Sequence, residues 1–183
     1  MKQIIPWAVG ILVIVAGVLF LPLPWTDNTR IHTEARIGRP PQAVFDYVTT
    51  PGHWPEWHPS SQGVSGATDH SLKPGERVTE QFRVAGRSGL VVWMVTDSRP
   101  PQAWVIEGEV DGRKAGTVAY TLTADGDGTR FTRDFTYRSP NLLFAFLNRL
   151  ALRQRIEAES AEAVRRLKAK LEGRVPADRV APL

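Results

Sequence analysis

The sequence contains no cysteine, which excludes disulfide bonds, thiolate catalysis and cysteine-ligated zinc. It also lacks the glycine-rich loops that bind nucleotides and the Gly-x-Ser-x-Gly turn of hydrolases. The net charge of +4 is concentrated in residues 149–172, which indicates a solvated helix face rather than a surface for nucleic acid. We therefore predict no cofactor and no nucleic-acid partner.

Charged residues are also absent from residues 4–23, and this run is long enough to predict a transmembrane helix. Twenty residues at about 1.5 Å each span roughly 30 Å, the thickness of a bilayer core. The end of the run has no small-x-small pattern, which argues against a cleaved signal peptide. We therefore expect residues 1–27 to be a single-pass membrane anchor (about 4–23), with membrane lipid as a partner and the following domain outside the cytoplasm.

Beyond residue 27, six segments alternate between polar and apolar residues, which predicts an antiparallel sheet joined by short turns. After the first segment, two short helices are expected, and a Gly/Ser/Asp-rich loop at residues 63–69 follows them. A long helix is predicted from Pro140 to about Leu171, with Ser139 as its N-cap. Residues 174–183 lack a packing pattern and are expected to be a disordered tail. The six predicted strands are residues 29–37, 77–85, 88–98, 103–110, 114–124 and 129–138.

The stretch ARIGRPPQAVFDYVTTPGHWPEWHPSS resembles the N-terminal signature of the polyketide cyclase/dehydrase branch of the START-like, or SRPBCC, superfamily. The matching elements are Pro40 and Pro41, a short helix with Val44-Phe45, and a Trp54-Pro55-x-Trp57 turn. The resemblance implies an α+β helix-grip fold over residues 28–173. In it, a curved antiparallel sheet of about seven strands wraps the long C-terminal helix, and two short helices follow strand 1. It also implies a deep apolar cavity between the sheet and that helix.

Strand parity predicts which residues face such a cavity. Glu80 and Arg133 fall on otherwise apolar strand faces, and a buried charge normally pairs, reaches solvent or faces a polar ligand. The twist of the sheet could instead carry both residues to its rim. For any single aromatic on these faces, a core position is an alternative to ligand contact. The candidate ligand-binding residues are Trp57, His58, Glu80, Phe82, Trp93, Trp104, Tyr120, Arg133 and Phe135.

Histidine spacing argues against a metal site, because His53 and His58 are five residues apart with Pro55 between them. Two functions fit the remaining pattern. The first is a membrane-anchored binding or carrier domain for a hydrophobic small molecule, such as a lipid or isoprenoid. The alternative is a polyketide cyclase/dehydratase-like enzyme in which His58, Glu80 and Tyr120 are acid/base groups. A domain whose cavity is filled by its own side chains is a third reading, and neither catalysis nor oligomeric state follows from the sequence.

Overall fold

The structure, a computed structural model, describes residues 4–21, 28–84 and 86–173, so the predicted tail at residues 174–183 lies outside the described residues. The first helix, α1, comprises Ile4–Phe20. Its 17 residues extend about 25 Å, which is less than the thickness of a bilayer core. No helix among the described residues is both long and apolar enough to cross a membrane. The prediction of a single-pass membrane protein is therefore wrong.

Seven antiparallel strands form one sheet in the order β1-β7-β6-β5-β4-β3-β2. Short turns account for the order from β3 to β7, and a longer connection (residues 67–76) joins β2 to β3, so each strand from β2 to β7 pairs with its neighbour in sequence. β1 pairs with β7 and so becomes an edge of the sheet. The strands are β1 Asn28–Ile37, β2 Ser61–Gly66, β3 Arg77–Val84, β4 Arg87–Arg99, β5 Ala103–Val110, β6 Arg113–Asp125 and β7 Gly128–Arg138.

The connection between β1 and β2 contains the two predicted short helices, α2 (Pro41–Thr49) and α3 (Trp54–Trp57), separated by a 3-10 turn. Pro41 begins α2, where the missing N–H of proline leaves no hydrogen bond unmade. The stretch predicted as a loop after α3 instead contains β2, the edge strand opposite β1. The sequence of β2, SQGVSG, has no apolar alternation, so this strand gives no local signal.

The long C-terminal helix is interrupted. It begins with α4 (Leu142–Leu147), passes through a π-helical turn (Asn148–Leu152), and continues as α5 (Arg153–Leu171). The N-cap is Asn141, whose side chain accepts a hydrogen bond from the Phe144 amide at 2.8 Å, so the predicted Ser139 cap is wrong. Asn takes this role because its side-chain oxygen is as suitable an acceptor as a serine hydroxyl.

α5 packs on the inner face of the curved sheet, which confirms the predicted helix-grip α+β architecture. The core lies between the sheet, α2, α3 and α5, and its fully buried aromatic residues come from the sheet and the short helices. Four apolar residues of α5 form a buried seam, and Leu171 is partly buried. The helix also buries one polar residue, Ser160, in the middle of this apolar seam. The four buried seam residues are Ile156, Ala163, Val164 and Leu167.

Candidate functional site

The centre of the grip is filled with aromatic side chains from the sheet and α3. Trp104 stacks on Tyr120 with ring centroids 5.4 Å apart, and Tyr120 in turn contacts Phe131 and Trp57. All four residues are almost fully buried. Three of them, Trp57, Trp104 and Tyr120, are predicted ligand-binding residues, and their packing makes them the base of any site rather than its open wall.

Three other predicted residues, Phe82, Trp93 and Phe135, are only half-buried and lie on the same inner face. Each ring lies over a glycine of an adjacent strand, and we call these three rings the aromatic floor. A Cβ atom at Gly108 would be 2.6 Å from the Trp93 ring, and one at Gly89 would be 2.8 Å from the Phe82 ring. At Gly116 the added atom would be 3.0 Å from the Phe135 ring. Because these glycines lack a side chain, the rings can pack directly against the strand backbone.

Arg133 lies at the inner end of the aromatic floor, in the row of residues next to Phe135 on β7. Its Cζ atom is 5.4 Å from the centroid of the Phe135 ring, a cation–π distance. The guanidinium donates through Nη1 to Ser160 Oγ at 3.3 Å and through Nη2 to His58 Nε2 at 3.2 Å. Only 5% of Arg133 is exposed, so the sheet does not carry this charge to its rim. The buried cation on β7 is thus contacted by Ser160 from α5 and by His58, the residue that follows α3.

Glu80 is the second charged residue on the inner face, and 9% of it is exposed. Its Oε2 accepts a hydrogen bond from Trp93 Nε1 at 2.7 Å, which fixes the orientation of the central ring of the aromatic floor. Burial raises the pKa of Glu80, although the Trp93 hydrogen bond and the charge of Arg133 oppose this shift. Glu80 therefore positions Trp93, and it forms no ion pair with Arg133 within the described chain.

His58 is uncharged at neutral pH, since burial and then the positive charge of Arg133 lower its pKa well below the ordinary value. The guanidinium has no lone pair to offer, so His58 Nε2 is the acceptor and the proton resides on Nδ1. Burial also raises the pKa of Tyr120 to about 12, which keeps its hydroxyl protonated. The three predicted catalytic candidates, His58, Glu80 and Tyr120, therefore surround Arg133, but two of them do not titrate near neutral pH.

The remaining histidine of the same stretch has a structural role. The His53 ring stacks on Tyr47 with centroids 4.2 Å apart, and its Nδ1 lies 3.2 Å from the Tyr47 carbonyl oxygen. Nearby, Trp54 Nε1 donates to the Val48 carbonyl oxygen at 3.0 Å, which fixes α3 to the end of α2. The tryptophan and proline of this turn thus set the position from which His58 reaches Arg133.

Sequence reasoning brought together most of this site but missed Ser160 and the three glycines. Ser160 carries a detectable signal, because it is the one polar residue within the apolar seam of α5. The sequence signal of the glycines is weaker, because a glycine matters here only if strand pairing places an aromatic ring next to it. A separate surface depression of about 620 Å³ lies at the far end of α5, beside Arg36, Arg39 and Lys168, and involves none of the predicted site residues.

The sequence also matches a known family. Residues 28–172 match the family described as "Polyketide cyclase / dehydrase and lipid transport", which is most of the chain. The chain belongs to this family. No curated protein matches the chain significantly.

Solved structures share the fold of this polyketide cyclase/dehydrase family member at low sequence identity. A Thermus thermophilus protein, TTHA0849, superposes with a TM-score of 0.64 at 14% identity, covering 79% of this chain and 98% of its own. Protein Ms6760 from Mycobacterium smegmatis gives 0.57 at 22% identity, covering 82% and 99%. The major latex-like protein 151 of Panax ginseng gives 0.59 at 12% identity, covering 78% and 97%. These similarities establish the fold alone.

Proposed function

We propose that this chain is a binding or carrier domain for a hydrophobic small molecule of the lipid or isoprenoid kind. The observation that carries the proposal is the aromatic floor. Half-buried aromatic rings packed against glycines form an apolar surface that a ligand can cover without displacing the core. Membership of a family described by both cyclase/dehydrase and lipid-transport activity supports the same conclusion.

A titration with the fluorescent apolar dye Nile red tests this proposal on the purified full chain. Trp93→Gln should weaken dye binding by at least about tenfold, because losing roughly 60 Å² of apolar contact costs about 1.4 kcal/mol. Val92→Gln is the matched control, since Val92 is the adjacent residue of β4 on the opposite, exposed face. Absence of saturable binding, or an equal loss in both variants, would contradict the proposal.

The alternative is a cyclase/dehydratase-like enzyme, and the placement of Glu80 beside the aromatic floor favours it. Glu80 is the candidate acid/base group whose pKa moves upward toward neutrality, which suits proton transfer better than the shifts of His58 and Tyr120. Incubation with a linear poly-β-ketone, followed by mass spectrometry, would reveal the loss of water that accompanies aldol cyclisation and dehydration. An enzyme should lose this turnover in Glu80→Gln while still binding Nile red, whereas a carrier should give no product in either form.

A further inference from the structure

Arg133 is buried without forming an ion pair among the residues that the structure describes. The groups that its guanidinium contacts, Ser160, His58 and the Tyr120 hydroxyl, are all neutral. No ion pair joins Arg133 to a carboxylate within the described ranges. Glu80 is close enough for the charge of Arg133 to oppose the rise in its pKa, but its carboxylate accepts a hydrogen bond from Trp93. A buried cation that lacks a counter-charge is expensive, because the solvation it loses is not replaced. Something other than these side chains must offset that cost.

The surroundings of Arg133 also contain hydrogen-bond donors that have no acceptor. Arg133 Nε is buried without a partner, and so are His58 Nδ1 and Trp57 Nε1. With Nε2 accepting from Arg133, His58 Nδ1 carries hydrogen, and the indole nitrogen of Trp57 only donates. His58 and Trp57 are adjacent in the chain, and their ring centroids lie 5.4 Å apart. Unpaired buried donors are rare in native proteins, and here all three belong to one cluster with a cation.

We propose that Arg133 binds the carboxylate of a hydrophobic carboxylic acid whose apolar part lies along the aromatic floor. This inference rests on the proposed function and names the chemical class of its ligand. A carboxylate has only acceptors, supplies the missing negative charge, and matches the planar guanidinium in shape. The apolar part follows from position, because the ring of Phe135 begins the aromatic floor directly beside the Arg133 guanidinium.

Competition against Nile red tests the inference with two probes of equal chain length, dodecanoate and dodecan-1-ol. At about pH 8 the acid is ionised and the alcohol is neutral. The wild-type chain should bind dodecanoate at least about tenfold more tightly than dodecan-1-ol, as expected for charge-assisted hydrogen bonds. Arg133→Met should lose this preference while still binding the alcohol. Arg153→Met, which removes an exposed arginine of α5, should retain it.

The outcomes separate the two claims. Equal affinity for both probes in the wild-type chain, or a preference that survives in Arg133→Met, would overturn the carboxylate inference and leave the proposed function standing. Failure of Nile red and dodecan-1-ol to bind at all would overturn both. If Arg133→Met does not fold, the comparison of dodecanoate with dodecan-1-ol in the wild-type chain still tests the inference. Arg133→Lys then serves as the second variant. It keeps the positive charge but lacks the Nε donor, so it should prefer dodecanoate less strongly than the wild-type chain does.

Discussion

The close contact between Gly108 and Trp93 leads to a prediction that can be worked out from distances. In Gly108→Ala the new methyl group would lie 2.6 Å from Trp93 Cζ3 and 2.9 Å from Cε3, far inside van der Waals contact. The glycine backbone is held by pairing on both sides, whereas the half-buried ring can move. Trp93 must therefore tilt away from the sheet, and its 2.7 Å hydrogen bond to Glu80 is lost.

The magnitude follows from two opposing effects. Loss of a hydrogen bond that leaves Glu80 buried without its donor costs about 1–3 kcal/mol. Alanine is favoured over glycine within a strand by about 0.5–1 kcal/mol, which offsets part of this. We expect Gly108→Ala to lower the free energy of unfolding by about 1–2 kcal/mol. Gly63→Ala in β2 is the matched control, because a Cβ there has no neighbour within 4 Å, and it should be neutral or stabilising.

Urea unfolding of the full chain, followed by circular dichroism, measures both substitutions. The decisive version repeats Gly108→Ala in a Trp93→Leu background, where the clashing ring is absent and the substitution should no longer destabilise the protein. If Gly108→Ala lowers the free energy of unfolding equally with and without Trp93, the position of the Trp93 ring does not depend on the glycine. If Gly108→Ala is as stable as Gly63→Ala, the close packing of the Trp93 ring on Gly108 is refuted.

Three further predictions concern buried polar groups. Burial and the charge of Arg133 lower the pKa of His58, so the unfolded chain binds a proton at this residue more tightly than the folded chain does. The free energy of unfolding should therefore fall as the pH drops below about 6.5. His58→Gln should flatten this part of a pH series measured by urea unfolding. Burial raises the pKa of Glu80, so its contribution to the free energy of unfolding declines as the pH rises above about 4.5. Glu80→Gln should therefore become more stable relative to the wild-type chain as the pH rises above this value. A stability difference between the two proteins that does not change with pH would contradict this. Asn148 accepts a hydrogen bond from Tyr137 Oη at 2.6 Å and donates one to Thr29 Oγ1 at 2.9 Å. Asn148→Leu should therefore lower the free energy of unfolding, measured with heat or urea, by about 1–3 kcal/mol. An unchanged stability would show that other contacts hold the π-helical turn.

The strands and short helices could be predicted from sequence because their signals are local. Alternation on one face identifies β3 to β7 within one or two residues at either end, and the turn residues between them impose antiparallel pairing. β2 was missed because an edge strand with the sequence SQGVSG buries little and needs no apolar face. The helix start was misplaced by two residues for a similar reason, since Ser139 and Asn141 are both suitable caps and only the backbone path decides between them.

The aromatic floor could not be predicted, because it depends on register rather than on composition. Trp93 faces Gly108 only through the β4–β5 pairing, and Phe82 faces Gly89 only through the β3–β4 pairing. A shift of one residue in either pairing would place side chains under the rings and lift them from the sheet. Sequence parity can therefore assign a residue to the inner face, but it cannot say whether an aromatic ring there packs over a glycine of the adjacent strand.

The positions of Glu80 and Arg133 could be predicted from the sequence, but their partners could not. Their position on apolar strand faces is visible in the sequence, and it leaves open pairing, solvent exposure and contact with a ligand. Burial removes the second reading for both residues. The first is decided by partners far along the chain, since Arg133 meets His58 and Ser160 at separations of 75 and 27 residues, and both are neutral. Glu80 accepts a hydrogen bond from Trp93, whereas Arg133 lies beside neutral partners and buried donors that lack an acceptor. Because Arg133 forms no ion pair among the described residues, Arg133→Met should cost less in urea unfolding than the roughly 3–5 kcal/mol typical of a broken buried ion pair, while it should weaken the binding of a carboxylate.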